Sequence, residues 1–217
     1  MDDSLENRLR AFSARQGVSL TTRQIGQLVR LDQMIAGWDR ALGVSGFRDA
    51  DERFQRYLAE PLDASRWFPG REGAVLDIGT GGGSPALPLA IVRPGNRWTL
   101  LEPNRRRAVF LEEALAGLGL SGSRVIRSRW EDFALQEPFV VITSRGLALN
   151  ERLLQKMAHW LEPEGRLLLF TGLKRSEELF DREGSLRRAA RVALAPGRKA
   201  WLVVLEKPSE TSAASFT

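Results

Sequence analysis

Apolar residues recur at helical spacing through the first third of the chain and then change to short, dense runs. Leu5, Leu9 and Phe12, set among charged residues, predict an amphipathic helix over Leu5 to Gln16, closed by Gly17. Thr21 caps a longer helix, Thr22 to Leu42, with a wide stripe of Ile25, Leu28, Val29, Leu31, Ile35, Trp38 and Leu42 for packing on a core. Residues 43–48 read as a loop. Asp49 to Leu58 and Leu62 to Phe68 read as two short helices broken at Pro61, and Pro69-Gly70 ends the helical region. From Gly73 onward strands alternate with helices. The strands are Ala74–Asp77, Arg97–Glu102, Arg124–Ser128, Phe139–Thr143, Arg166–Phe170, Leu186–Leu194 and Lys199–Glu206. The helices are Pro85–Val92, Arg105–Gly117, Asn150–Trp160 and Ser176–Glu183. Such alternation predicts an α/β fold, a mostly parallel sheet with helices on both faces. Ala195-Pro196-Gly197-Arg198 joins the last two strands without a helix, so one of them runs antiparallel.

This pattern divides the chain into a helical extension (1–70), an α/β core (71–207) and a tail rich in Ser, Thr and Ala (208–217). At 217 residues a full core is affordable. No apolar run reaches the roughly 18 residues of a membrane span, and Met1-Asp2-Asp3-Ser4 lacks the character of a secretory leader, so a cytoplasmic protein is expected. With no cysteine and one histidine, His159, disulfides, thiolate chemistry and a histidine-based metal site are not expected. The formal net charge is +5, too small to name a partner by itself.

The chemistry concentrates in Ala74-Val75-Leu76-Asp77-Ile78-Gly79-Thr80-Gly81-Gly82-Gly83-Ser84-Pro85, a strand ending in an acid, a glycine turn, and the start of a helix. Glycines remove Cβ atoms where backbone approaches a ligand. Trp98-Thr99-Leu100-Leu101 ends in Glu102, a carboxylate placed to accept both hydroxyls of a ribose. The glycine spacing departs from the dinucleotide fingerprint. It is similar to motif I of the S-adenosylmethionine-dependent methyltransferases, in which Asp77 would orient the loop and Glu102 hold the ribose.

A narrower resemblance covers about residues 25 to 207. Gly79 through Ala90, the stretch Leu100-Leu101-Glu102-Pro103-Asn104-Arg105-Arg106-Arg107-Ala108-Val109-Phe110-Leu111, Ser128-Arg129-Trp130-Glu131-Asp132, Ser144-Arg145-Gly146-Leu147-Ala148 and Gly197 through Lys207 resemble the RsmG (GidB) family. That family methylates N7 of a guanosine in 16S ribosomal RNA. The resemblance implies a class I S-adenosylmethionine-dependent methyltransferase (Rossmann-like) sheet with an N-terminal helical extension. It implies S-adenosyl-L-methionine as cofactor, and small-subunit ribosomal RNA or a subunit particle as partner of a monomeric enzyme.

Carried over by motif, Gly79, Gly81 and Ser84 line the methionine side of the cofactor, and Trp130 and Glu131 flank its adenine. Read on their own, Trp130 also suits a core filler and Glu131-Asp132 a helix cap. Arg145 would sit beside the cofactor where the base enters, holding guanine O6 or a phosphate. N7 bears a free lone pair, so no general base is required, only in-line placement. Arg105, Arg106, Arg107, Arg124, Arg127 and Arg129 either track RNA phosphates or form a solvated face, and Arg129 matches a family motif.

The chain departs from the family on the presumed substrate side. Gly43, Tyr57, Glu60 and Pro61 stand where the family carries asparagine, histidine, aspartate and serine, and Thr171 replaces a lysine. Tyr57 is expected to stack on a base and Glu60 to accept from the guanine amino group. The alternatives are a methyltransferase-fold protein with another substrate, or a catalytically silent cofactor- and RNA-binding protein.

Overall fold

A computed structural model describes residues 4–42, 49–181, 185–194 and 200–209, with the side chains of 40–42 left aside. The expected loop at 43–48 (with Gly43), the link at 195–198 and the tail from 210 lie outside the described residues.

The helical region opens as expected with α1 (Leu5–Gln16) and α2 (Thr22–Leu42). Ser4 caps α1, and Gly17 closes it in the left-handed conformation at φ 66°. The expected break at Pro61 is corrected. α3 (Ala50–Glu52), a π-helical segment (Arg53–Ala59) and α4 (Glu60–Ala64) follow without interruption, and a 3-10 turn (Ser65–Trp67) ends the run. A proline ring inside an α-helix collides with the carbonyl four residues back; the wider π turn before Pro61 relieves that collision.

Seven strands form one sheet. They are β1 (Ala74–Ile78), β2 (Arg97–Leu101), β3 (Arg124–Ile126), β4 (Phe139–Arg145), β5 (Leu161–Gly172), β6 (Arg187–Ala193) and β7 (Ala200–Glu206). Their order is β3-β2-β1-β4-β5-β7-β6. β7 is antiparallel to both of its neighbours, and the other pairings are parallel. Between them lie α5 (Ala86–Val92), α6 (Arg105–Leu118), α7 (Glu151–Trp160) and α8 (Leu173–Asp181). Pro85 is the cap of α5 and not its first residue, β3 stops before Ser128, and β5 extends further at both ends than its apolar run suggested.

Alternate residues along the central strands serve two cores. Val75, Val141, Leu168 and Phe170 face the side covered by α1, α2, α4, α5 and α6. Leu76, Ile142, Leu167 and Leu169 face α7 and α8. The period of two is the ordinary consequence of the pleat. The helical extension shares the first core: Leu9, Leu28, Leu58 and Leu62 join Leu111, Leu100 and Leu202 in one cluster. Phe68 packs on Trp98 of β2 with ring centroids 5.9 Å apart. The extension is therefore a packed element of the same core. No helix among the described residues is long and apolar enough to cross a membrane.

Candidate cofactor cleft

The strand order reverses between β1 and β4, and in an open α/β sheet that switch point leaves a crevice at the carboxyl ends. A cavity of about 580 Å³ occupies it, bounded by the loop after β1, by Glu102 after β2, by Trp130 and Glu131 after β3, and by Arg145 at the end of β4. Its size suits a small-molecule ligand.

The loop after β1 is fixed mainly by backbone bonds. The N–H groups of Gly79 and Thr80 donate to Leu101 carbonyl oxygen at 2.9 and 3.2 Å, and Gly83 N–H donates to Thr80 carbonyl oxygen at 2.9 Å. Gly79, Gly81 and Gly83 have φ of 70°, 59° and 95°, in the region that other residues rarely adopt. At Gly83 the space is also closed: a Cβ there would lie 2.4 Å from Leu87 Cδ1 and 2.9 Å from Tyr57 Oη.

Two acids flank this loop in different ways. Asp77 is fully buried in β1, and Thr143, its register partner on β4, donates to Oδ1 at 2.5 Å. Its Oδ2 has no partner among the described residues. Burial pushes the Asp77 carboxyl up to about 6, against the stabilising hydroxyls of Thr143 and Thr80. Glu102 faces the cleft, where its Oε2 accepts from Gly81 N–H at 2.7 Å and its Oε1 from Asn104 N–H at 2.9 Å. A carboxylate has about four acceptor directions, so two remain for a ligand.

Across the cleft Trp130 is half-buried and Glu131 exposed, both on its wall. Lys156 of α7 donates to the carbonyl oxygens of Trp130 (3.2 Å) and Glu131 (3.0 Å), fastening the segment. An apolar ring beside a carboxylate provides what an adenine and its amino group require. Lys156 and Thr143 went unrecognised in the sequence. Thr143, the first polar residue after the apolar run Phe139 to Ile142, gave a signal; Lys156 on a polar helix face gave none.

The substrate-side expectations need correction. Tyr57 is 1% exposed, and its hydroxyl donates to Gly82 carbonyl oxygen at 2.7 Å. Its ring is core, with no face open to a base. Burial raises the phenol well above its ordinary value, which keeps it protonated and a donor. Glu60 is also buried, and its Oε2 receives Arg145 Nη2 at 2.5 Å instead of a guanine amino group. Arg145 is committed to protein: beyond Glu60, its Nη1 donates to Arg56 carbonyl oxygen and, at 3.3 Å, to Ser84 Oγ. Phe170 lies under its guanidinium at 4.7 Å. Burial lowers the Arg145 pKa, opposed chiefly by Glu60. The structure thus brings Arg145 to the cleft wall, spending three hydrogen bonds on the extension and the loop.

Arg105, Arg106 and Arg107 form the first turn of α6, and all three are exposed. Asn104 caps that turn, accepting from the N–H groups of Arg106 and Arg107 at 3.0 and 3.2 Å. Arg107 and exposed Arg129 reach the cleft rim. Arg124 is withdrawn from any such group, since it bonds Thr99 and Gln136 at the sheet edge. Cations at a helix N-terminus oppose the helix dipole, so this turn is arranged at some cost in stability.

A seven-strand sheet with one antiparallel strand and this cleft defines the class I S-adenosylmethionine-dependent methyltransferase fold. Solved structures agree on the fold. A mutant of MtNAS in complex with S-adenosylmethionine aligns at TM-score 0.59 and 20% identity, covering 94% of this chain and 77% of that one. An rRNA methylase from Streptococcus thermophilus aligns at TM-score 0.53 and 17% identity, covering 68% and 94%.

Sequence comparison identifies the family. The GidB family, described as rRNA small subunit methyltransferase G, matches residues 24–194. Proteins named ribosomal RNA small subunit methyltransferase G from Erwinia tasmaniensis and Yersinia enterocolitica are each 32% identical, over 173 and 177 residues. The alignments cover 80% and 79% of this chain and 83% of each relative. The chain belongs to the GidB family.

Proposed function

We propose that this protein transfers a methyl group from S-adenosyl-L-methionine to N7 of a guanosine in 16S ribosomal RNA. The observation that carries this reading is the cleft itself, with the Gly79–Ser84 loop, Glu102, and Trp130 with Glu131 on three of its walls, in a member of the GidB family. When bound, S-adenosylmethionine supplies a methyl group activated by its sulfonium.

Each part of the chain has a defined task in that reaction. Gly79, Gly81 and Ser84 line the methionine portion. Glu102 accepts from the ribose hydroxyls through the two directions it does not spend on Gly81 and Asn104. Trp130 supplies an apolar face for the adenine and Glu131 an acceptor for its amino group. Asp77 acts from beneath, tying β1 to β4 through Thr143. Guanine N7 attacks with its own lone pair, so the protein's contribution is alignment and exclusion of water, and no side chain has to take a proton at that atom. Arg145 positions the wall beside the acceptor. Arg105, Arg106, Arg107 and Arg129 provide a cationic rim for phosphates. Because the proposed substrate is ribosomal RNA, the reading also includes action in the cytoplasm, as a monomer.

The test is incorporation of tritiated methyl into unmodified 16S RNA and into intact small subunits, with the product located by mass spectrometry of digested RNA. N7-methylguanosine is expected. Cofactor binding without transfer to either substrate would overturn the assignment and support a silent RNA-binding member.

A further inference from the structure

Pro61 lies inside an unbroken helical run, where its absent N–H has structural consequences. A donor at that position would serve the carbonyl of Tyr57, four residues back, or of Arg56, five back. The five-residue spacing is in use next door, where Glu60 N–H bonds to Gln55 carbonyl oxygen. Proline has no N–H to give. Both carbonyls accept instead from side chains at the sheet's carboxyl edge. Arg56 carbonyl oxygen accepts from Arg145 Nη1, and Tyr57 carbonyl oxygen from Ser84 Oγ at 3.2 Å. Ser84 is the last residue of the cofactor loop and also receives Arg145 at 3.3 Å. The hydroxyl of Tyr57 then reaches Gly82 carbonyl oxygen, two residues earlier in the loop, at 2.7 Å. Two direct bonds, together with the bridge that Arg145 makes between Arg56 carbonyl oxygen and Ser84 Oγ, thus join the π-helical segment to the loop.

We propose that Pro61 and Tyr57 are positioning residues for the cofactor loop. Pro61 acts by withholding a donor, so that helix carbonyls stay available to Arg145 and Ser84. Tyr57 acts by holding Gly82. The glycine-rich loop has little side-chain packing of its own, and these bonds set its distance from the extension. The inference rests on the reading that the cleft holds S-adenosylmethionine.

A residue that matters only to packing and one that positions the loop behave differently at Pro61. Pro61→Ala restores an N–H inside a helix but trims a buried ring that the π turn already accommodates, so the thermal midpoint of the unliganded protein should hold or fall slightly. The new donor competes for the carbonyls that Ser84 and Arg145 use. Affinity for S-adenosylhomocysteine, measured by calorimetry on the full chain, should therefore fall roughly three- to tenfold, the effect of displacing one hydrogen bond. Tyr57→Phe keeps the ring and removes the donor to Gly82, and should weaken the same ligand by a similar factor. Unchanged affinity in both variants, whatever the thermal midpoint of Pro61→Ala, would overturn the proposal. Should Pro61→Ala fail to fold, the affinity of Tyr57→Phe decides alone. Failure of the unaltered protein to bind S-adenosylhomocysteine would overturn the cofactor reading as well, whereas tight binding by all three proteins overturns only this inference.

Discussion

Gly81 donates its N–H to Oε2 of Glu102 at 2.7 Å, so the acid at the end of β2 is fastened to the loop that follows β1. Removing that carboxylate takes away both a ligand acceptor and an anchor of the loop. Glu102→Ala is expected to weaken S-adenosylhomocysteine binding by roughly 1–3 kcal/mol, the cost of leaving polar groups unpaired. Glu102→Gln keeps one acceptor oxygen but turns an amide NH₂ toward donors, and should fall between. Calorimetry on the three proteins checks the order; an alanine variant that binds as tightly as the parent removes Glu102 from the site.

The arginine turn of α6 makes opposite predictions for RNA and for stability. If Arg105, Arg106 and Arg129 contact phosphates, the logarithm of RNA affinity plotted against the logarithm of salt should lose about one unit of slope per neutralised arginine. Substituting Arg105 and Arg106 by alanine removes two cations from the positive end of a helix, and should raise stability by about 0.3–1 kcal/mol each. Filter binding across a salt series and thermal melts of the single and triple variants test both. A stability gain with an unchanged slope would return these residues to a solvated surface.

How much of this was legible depends on whether the physical signal is local. The loop from Gly79 to Ser84 was readable because strand, glycine turn and helix start are adjacent in sequence, and Glu102 because it ends an apolar run. Sheet class and the antiparallel last pair followed from alternation and a missing crossover helix. Pro61 reads as a helix break because the proline rule is a rule about α-helices, and the π turn that accommodates it has no marker in the run Arg53 to Ala59. The roles of Tyr57 and Arg145 were hidden for a related reason. Their partners are backbone carbonyls of Gly82 and Arg56, atoms that every residue carries and whose availability only the folded geometry decides. Tyr57 and Glu60 read as substrate contacts because they stand where the resembled family carries a histidine and an aspartate.

Asp77 gives a pH dependence whose sign follows from its environment. Its carboxyl titrates at about 6 in the folded protein against 3.8 as the ordinary value. The folded state therefore holds a proton that the unfolded state has already released across that interval. Stability from this group is present below the lower value and is lost as pH rises through about 6, by up to about 3 kcal/mol at 1.36 kcal/mol per unit. Denaturant melts between pH 4 and 7 should show the parent losing stability relative to Asp77→Asn as pH rises. A constant difference between the two across that range would show that Asp77 has no shifted titration.

Arg145 distinguishes a structural clasp from a base-contacting arginine. Its side chain is one-fifth exposed, and that of Glu60 beside it is 3% exposed. Truncating either partner leaves the other charge poorly solvated. Glu60→Gln should therefore destabilise the protein by about 3–5 kcal/mol, as for a broken buried pair. For a chain of this size that lowers the thermal midpoint by roughly 2–4 °C per kcal/mol. Arg145→Lys keeps the charge but replaces a planar fork with a single ammonium, which cannot serve Arg56, Ser84 and Glu60 together. If the clasp is the role of Arg145, Arg145→Lys and Glu60→Gln should both weaken S-adenosylhomocysteine binding and methyl transfer, and by comparable factors. The double variant should lose little more than either single one, because the two changes break the same contact. If Arg145 instead engages the acceptor base, Arg145→Lys should depress transfer with cofactor affinity preserved, while Glu60→Gln leaves transfer nearly intact. Parallel measurement of binding and of methyl incorporation in the four proteins separates the two roles. Strict additivity of the two substitutions would rule out the clasp.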